Sequence, residues 1–380
     1  MKNIVLLGST GSVGRNVLEV VRKYPDKFRV KAISSYSNYT LLREQAEEFR
    51  PEEICLGNKD LYKHLKDVIP SDIKFTSGKE ELERLAKEGS DELVFIAISG
   101  IAALKPLIAA LEAGKMVALA SKEPIVSAGM IIKKIIDGNS SKILPVDSEH
   151  SAVMQCLAGR KNEEIRTLYI TGSGGSLKDE PFKNFKSLSV EKVLDHPKWD
   201  MGPKITVDSA TLMNKGLEMI EARWIFDVAP DRIKVVIHPE AIIHSMVEFI
   251  DGTINANLFY PDMKFPILRA LSYPEVFKSD FPRVNFFDIK NFTFQKPNAE
   301  KFPALELAYR ALEVGGTMPA ALNASNETAV RLFLEKKIRF TDIINVVKKI
   351  MDIHKTIVTP SLEDIVNSEK WAGEEVLRFC

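Results

Sequence analysis

The feature that most constrains this fold is a glycine turn set between an apolar run and a helical stretch at the start of the chain. Asn3 to Leu7 has the pattern of a buried strand, Gly8-Ser9-Thr10-Gly11-Ser12-Val13-Gly14 follows, and Arg15 to Tyr24 has helical spacing. Strand, glycine turn and helix in that order form the first unit of a dinucleotide-binding sheet. Glycine lets backbone approach a pyrophosphate, and the helix N-terminus adds amide donors and partial positive charge. The spacing is GxxGxxG, a variant of the commoner GxGxxG.

More units of this kind follow. Arg29 to Ser34 reads as the second strand, Leu41 to Phe49 as a helix and Ile54 to Leu56 as a short strand. Leu93 to Ile98 is a strong strand, Ala102 to Ala113 a helix ended by Gly114, and Met116 to Ala120 the next strand. Such alternation predicts a parallel, doubly wound sheet. NAD-selective sites usually end the second strand with an acid that binds the ribose 2′-hydroxyl. Here Ser34-Ser35-Tyr36-Ser37-Asn38 offers none, which admits a 2′-phosphate, although no Lys or Arg stands there to grip it. Ser121-Lys122-Glu123-Pro124 then follows another strand's carboxyl end.

The strand Lys142 to Pro145 leads into Val146-Asp147-Ser148-Glu149-His150, at a strand end, where open α/β sheets place ligands. In extended chain Asp147 and Glu149 share a face. Neighbouring carboxylates repel, and a divalent cation is the usual way to keep both ionised. His150 to Ala158 reads as a short helix, and the strand Thr167 to Thr171 runs into Gly172-Ser173-Gly174-Gly175, a cluster able to cradle phosphate through its amides. About thirty residues without regular pattern follow, up to Ile205; loops that long are commonly lids. The stretch from Gly174 to Gly202 contains His196-Pro197-Lys198-Trp199-Asp200-Met201-Gly202, whose Trp199 and Met201 give a lid something apolar to close with.

Asp208 or Ser209 suits the N-cap of a helix from Thr211 to Phe226. On that helix Asn214 and Glu218 share a face and Lys215 adjoins Glu218. Gly216 lies mid-helix at a cost of roughly 1 kcal/mol against Ala, which points to close approach of something and favours a functional role for this helix. Val235 to His238, Ala241 to Ile250 and Thr253 to Phe259 read as strands, with Asp251-Gly252 as a hairpin turn. The expected organisation is therefore α/β: a Rossmann-like parallel-sheet domain over 1–147, a second α/β catalytic and dimerisation domain with a lid loop over 148–281, a linker over 282–303 and a C-terminal helical domain over 304–380.

Composition narrows the partners. The 52 basic and 52 acidic residues cancel and form no long block, which argues against nucleic acid or an anionic membrane as main partner. Cys55, Cys156 and Cys380 form no CxxC, so a reducing compartment and no thiolate metal site are expected. The N-terminal apolar run is too short for a signal peptide and no stretch is long enough to span a bilayer, so a cytoplasmic location is expected.

Together GSTGSVG, SKEP, VDSEH, GSGG, HPKWDMG and DSATLMNKGLE resemble the 1-deoxy-D-xylulose 5-phosphate reductoisomerase family, in order and spacing, over nearly the whole chain. The resemblance implies NADPH- and divalent-metal-dependent (Mg or Mn) conversion of deoxyxylulose phosphate to methylerythritol phosphate, in non-mevalonate isoprenoid synthesis, by a homodimer. It implies that Asp147, Glu149 and Glu218 are metal ligands, and that Ser173, Ser209, Asn214 and Lys215 hold the substrate phosphate. Lys122, Ser148, Glu149 and His196 would line the substrate, with Lys122 and Glu149 as candidate proton carriers and Trp199 and Met201 in the lid. The cofactor would lie on Thr10, Gly11, Ser12 and Val13, near Ser37, Asn38, Ser121, Glu123 and Gly202. Two positions depart from the family pattern: Tyr36-Ser37-Asn38 stands where Gly-Lys-Asn is frequent, and Ser121 where Asn is frequent. A Rossmann dehydrogenase acting on a semialdehyde would not need three carboxylates, and a non-catalytic nucleotide sensor would not keep them.

Overall fold

The computed structural model describes the 380 residues except Asp67, Ser90, Asp91, Pro197 and Asp200, and the side chain of Glu92. By internal contacts the chain divides into two units. The first comprises Met1–Pro124, Ile132–Ser151 and Asp262–Phe281, and the second Ile125–Ile131, Ala152–Pro261 and Pro282–Cys380.

Runs of β-branched and leucine residues build the first unit's strands: β1 (Lys2–Leu7), β2 (Phe28–Ser35), β3 (Glu53–Leu56), β4 (Lys74–Ser77), β5 (Glu92–Ile96), β6 (Met116–Leu119) and β7 (Lys142–Pro145). They form one parallel sheet in the order β4-β3-β2-β1-β5-β6-β7. Ile4, Leu6, Leu7, Val94, Phe95 and Ile96 have no exposed surface, as expected of a parallel sheet covered on both faces. The crossovers include helices α1 (Ser12–Lys23), α2 (Tyr39–Phe49), α3 (Lys79–Lys87) and α4 (Leu104–Glu112). Strand order reverses at β1, which pairs with β2 on one side and β5 on the other, so the switch point lies at the glycine turn. Gly8 there has φ +93°, and a Cβ would stand 2.6 Å from the Ala97 carbonyl oxygen, so no side chain fits. Helix α5 (Glu123–Asp137) starts on Pro124 in its first turn and breaks at Ala128, and α6 (Ser148–Cys156) follows β7.

The second unit carries a mixed sheet of β8 (Ile165–Gly172), β9 (Ile233–Ile237), β10 (Ile243–Phe249) and β11 (Ile254–Leu258). Its order is β11-β10-β8-β9, with β8 and β9 parallel and the other pairs antiparallel. The helices of this unit are α7 (Val190–Leu194), α8 (Pro203–Thr211), α9 (Met213–Ile225), α11 (Ala304–Val314), α12 (Met318–Leu334), α13 (Phe340–Ile353) and α14 (Leu362–Phe379); α10 (Lys264–Ser272) belongs to the first unit. The C-terminal helices share cores with the sheet and with α8: Val207, Ala210 and Leu212 pack with Phe333, Phe340 and Ile343. The 282–303 segment is tied down as well, since Ile237 and Gln295 exchange two backbone hydrogen bonds of 2.9 Å. Among the described residues no helix is long and apolar enough to cross a membrane.

Three sequence expectations are corrected. The helix expected from Thr211 is two helices: Pro203 opens α8, Leu212 turns left-handed at φ 61°, and α9 begins at Met213. Asp208 and Ser209 therefore lie inside α8 and cap nothing. Asp208 is nearly fully buried and binds Lys204 at 2.9 Å and Asn326 at 2.8 Å. The stretch before Ile205 is not a bare loop: a 3₁₀ helix over Phe182–Ser187 and then α7 occupy it, and Leu177, Phe185 and Val193 are core residues. Scattered apolar residues without period hid those short elements. Lastly, Gly216 is required by packing and not by a ligand, because a Cβ there would stand 2.8 Å from Ala308 Cβ on α11.

Candidate active site

The first unit contributes the glycine turn and a carboxylate pair. Gly8 and Ser9 donate their amides to the Ser34 carbonyl at 3.1 and 2.8 Å, which fixes the turn to the end of β2. Gly11 is the N-cap of α1, with no side-chain cap and no acid in the first turn. The amides of Ser12, Val13 and Gly14 have no partner within the helix and face whatever lies at its N-terminus, which suits a phosphate. Thr10 Oγ1 lies 2.8 Å from Ser35 Oγ, so its side chain faces β2. The Asn38 side-chain oxygen caps α2 through the Leu41 amide at 3.1 Å. Ser37 accepts the Tyr39 amide at 2.9 Å through its carbonyl. Ser121 Oγ is buried without a hydrogen-bond partner among the described residues, the condition of a group awaiting a ligand. Glu123 stands one residue beyond Lys122, at the start of α5.

Asp147 and Glu149 lie close, but not by the expected route. Ser148 already begins α6, so the pair sits at a helix N-terminus and not on one face of extended chain. Asp147 Oδ1 accepts the Glu149 amide at 3.3 Å, and Ser148 Oγ donates to Glu149 Oε2 at 2.5 Å. Lys122 Nζ, nearly buried, lies 2.6 Å from Asp147 Oδ2, and His150 Nδ1 lies 3.5 Å from Asp147 Oδ1. Burial pushes the Asp147 carboxyl up, but the Lys122 ammonium, His150 and a hydrogen bond with the Glu149 side chain outweigh it and hold Asp147 well below the usual carboxylate range. The donors are all hard carboxylate oxygens, which fit Mg or Mn.

The second unit brings most of the expected phosphate ligands together where β8 ends. Ser173 Oγ accepts the Gly175 amide at 3.3 Å and lies 3.3 Å from His196 Nε2. His196 Nδ1 accepts the amides of Lys198 and Trp199 at 3.2 and 3.0 Å, so Nε2 carries the proton and donates to Ser173. Burial, and then the Lys215 charge, push His196 below the ordinary histidine value, so it stays neutral. Gly175 has φ +69°, and a Cβ there would stand 2.5 Å from the Ser209 carbonyl oxygen, so the Gly-Ser loop lies directly on α8. On α9, Lys215 Nζ lies 2.6 Å from Glu218 Oε2 and Asn214 Nδ2 donates to Glu218 Oε1, while Glu218 is 1% exposed. The Lys215 stem runs over Gly172, where a Cβ would stand 2.9 Å from Lys215 Cε.

The structure places the expected site residues in two sets, one in each unit. Lys122, Asp147, Ser148 and Glu149 meet in the first unit, and Ser173, His196, Asn214, Lys215 and Glu218 gather in the second. Gly202, by contrast, is the N-cap of α8 with open space around its Cα. Pro197 and Asp200 of the HPKWDMG segment lie outside the described residues. Sequence reasoning passed over His244, on β10. Its ring stacks on Phe259 at 3.6 Å and meets Trp199 edge-on at 6.2 Å, which gives the Trp199 segment a seat. A histidine inside an apolar strand was the available signal.

Comparison with known proteins agrees along the full length. The family model for 1-deoxy-D-xylulose 5-phosphate reductoisomerase matches residues 4–129, and two models for C-terminal domains of that enzyme match 143–226 and 258–375. The reductoisomerase of Pelotomaculum thermopropionicum is 44% identical over 100% of this chain and 99% of its own, and that of Microcystis aeruginosa is 45% identical over 99% and 98%. The solved Zymomonas mobilis reductoisomerase in complex with NADPH superposes with a TM-score of 0.93 at 36% identity, covering 100% of this chain and 98% of its own. A reductoisomerase in complex with NADPH, fosmidomycin and magnesium gives 0.94 at 37%, with the same coverage. The chain belongs to the 1-deoxy-D-xylulose 5-phosphate reductoisomerase family.

Proposed function

We propose that this chain converts 1-deoxy-D-xylulose 5-phosphate to 2-C-methyl-D-erythritol 4-phosphate, with NADPH as reductant and Mg or Mn as divalent cation. The observation that carries the reading is that a buried ammonium pairs with a carboxylate in each unit, Lys122 with the nearly buried Asp147 and Lys215 with the buried Glu218. One solved relative holds NADPH, fosmidomycin and magnesium together. Asp147, Glu149 and Glu218 would hold the cation, and Ser173, Ser209, Asn214 and Lys215 the substrate phosphate. Two hydroxyls, an amide and one ammonium suit a dianion. NADPH would lie on Thr10, Gly11, Ser12 and Val13, with Ser37, Asn38, Ser121, Glu123 and Gly202 nearby.

When bound, the cation supplies Lewis-acid polarisation of substrate oxygens, and NADPH supplies a hydride. The chain's own residues do the rest. Lys122 Nζ, beside Asp147, can hold or release a proton at a substrate oxygen, and Glu149, oriented by Ser148 Oγ, can exchange one with a hydroxyl. Neutral His196 donates from Nε2 toward the Ser173 end of the cradle and anchors Trp199 through its other nitrogen. Trp199 and Met201 would then exclude water from the rearranging carbon skeleton. The test is NADPH oxidation with 1-deoxy-D-xylulose 5-phosphate, with and without Mn. Oxidation that needs both supports the reading; oxidation of NADPH by an amino-acid semialdehyde instead, or none at all, overturns it.

The chain would act as a homodimer in the cytoplasm. Edge strand β11 has one unpaired side, Ile254 on it is exposed, and Phe286 and Phe287 of the same unit are exposed too. Sedimentation should give twice the chain mass; a monomer at micromolar concentration would contradict this. The thiols Cys55 and Cys156 are buried and unbridged, in keeping with a reducing compartment.

A further inference from the structure

We propose that Gln45, on α2, is a positioning residue for the dinucleotide site and acts through Ser9. The inference rests on reading the glycine turn as the NADPH site. Gln45 occupies the buried stripe of α2 between Leu42 and Ala46, both without exposed surface, and is itself 5% exposed. A polar amide in such a stripe is unfavourable unless its hydrogen bonds are made. They are made to one residue of the glycine turn: Ser9 Oγ donates to Gln45 Oε1 at 2.6 Å, and Gln45 Nε2 donates to the Ser9 carbonyl at 3.1 Å. The amide's orientation is fixed by chemistry, because the Ser9 carbonyl can only accept and a flipped amide would set oxygen against oxygen.

The consequence concerns where the turn's dipoles point. The Gly8 and Ser9 amides are spent on the Ser34 carbonyl, and Gln45 draws the Ser9 carbonyl toward α2. A carbonyl free to rotate could face the N-terminus of α1 and repel a phosphate there. With it held back, the amides of Ser12, Val13 and Gly14 are the groups presented at that N-terminus. Ser9 is fully buried, so the clamp is shielded from water. Nothing in the pair touches the reacting carbons. Its effect should fall on cofactor affinity and not on the chemical step.

The experiment is a double-mutant cycle in the full-length protein with Gln45→Met, Ser9→Ala and the pair. It reads NADPH dissociation constants by cofactor fluorescence, and kcat at saturating NADPH. Circular dichroism at the assay temperature selects conditions in which every variant is folded. Gln45→Met should raise the NADPH dissociation constant roughly tenfold, the worth of about one buried hydrogen-bonded contact, and leave kcat within about twofold. Because Gln45 acts through Ser9, the double variant should bind little worse than the weaker single. Gln45→Glu keeps the acceptor for Ser9 Oγ but sets an oxygen against the Ser9 carbonyl, so it should bind NADPH no better than Gln45→Met. Native-like binding by Gln45→Met or Gln45→Glu, or effects that multiply in the double variant, would overturn the proposal. Failure of the native protein to bind NADPH would instead overturn the reading of the turn itself.

Discussion

Gly175→Ala isolates the seat of the proposed phosphate cradle. Two separate penalties meet at this position. The backbone is left-handed at φ +69°, which costs a residue with a Cβ about 1–2 kcal/mol. The Cβ would also stand 2.5 Å from the Ser209 carbonyl oxygen, a backbone atom that cannot swing aside. Overpacking of this kind adds about 1–3 kcal/mol unless the loop moves. If it moves, Ser173 moves too, because the Gly175 amide donates to Ser173 Oγ. Loss of one hydrogen bond to a charged phosphate is worth about 1.5–3 kcal/mol, or roughly ten- to hundredfold in kcat/KM. Gly252→Ala is the matched control: φ is +84°, but nothing lies within 4 Å of the added carbon. It should lower thermal stability slightly and leave kinetics alone. Steady-state rates on the phosphosugar, with melting curves for both variants, decide the matter. Equal kinetics for the two would refute the claim that the loop's contact with α8 sets the cradle.

Three shorter predictions accompany it. NADPH should be preferred over NADH, and Ser37→Lys should lower the Michaelis constant for NADPH alone; an equal effect on NADH would place Ser37 away from the 2′-phosphate. Trp199→Ala should weaken binding of a phosphonate analogue without changing metal affinity, and with Trp224 and Trp371 changed to Phe the emission of Trp199 should shift on ligand addition; no shift would mean that the segment does not close. His196 is held below its ordinary value of 6.5 by burial and then by Lys215, so its contribution to stability and to anchoring Trp199 is full above 6.5 and is lost as pH falls through the lower folded value. Affinity for the analogue should therefore drop on acidification more steeply in the native protein than in His196→Gln, and parallel profiles would exclude that role.

What could be read from the sequence followed the strength of local signals. The glycine turn and the apolar strands fixed the parallel sheet, since strand period and turn chemistry agree there. The boundary at Asp208 was misread because a buried Asp that binds Lys204 and Asn326 looks, in sequence, like an N-cap. The segment over Gly174–Gly202 was read as lacking regular elements because short helices anchored by single buried residues leave no period. Asp147 and Glu149 were placed together for the wrong reason: spacing suggested a strand face, whereas a helix begins at Ser148. Close approach at Gly216 was inferred from its helix cost and taken as a sign of function, and only the distance to Ala308 shows that it makes room for α11. The partners of Glu218 on its own helix were legible, because spacing of three and four on a helix needs no tertiary knowledge.

The central claim is that Asp147, Glu149 and Glu218 serve one divalent cation, and Mn titration monitored by electron paramagnetic resonance tests it most directly. In the presence of a phosphonate analogue the native protein should bind one Mn per chain. Glu218→Gln should bind it far more weakly, keep its NADPH affinity and lose turnover by orders of magnitude. Tight binding of one Mn by Glu218→Gln, with metal-dependent turnover retained, would contradict the account.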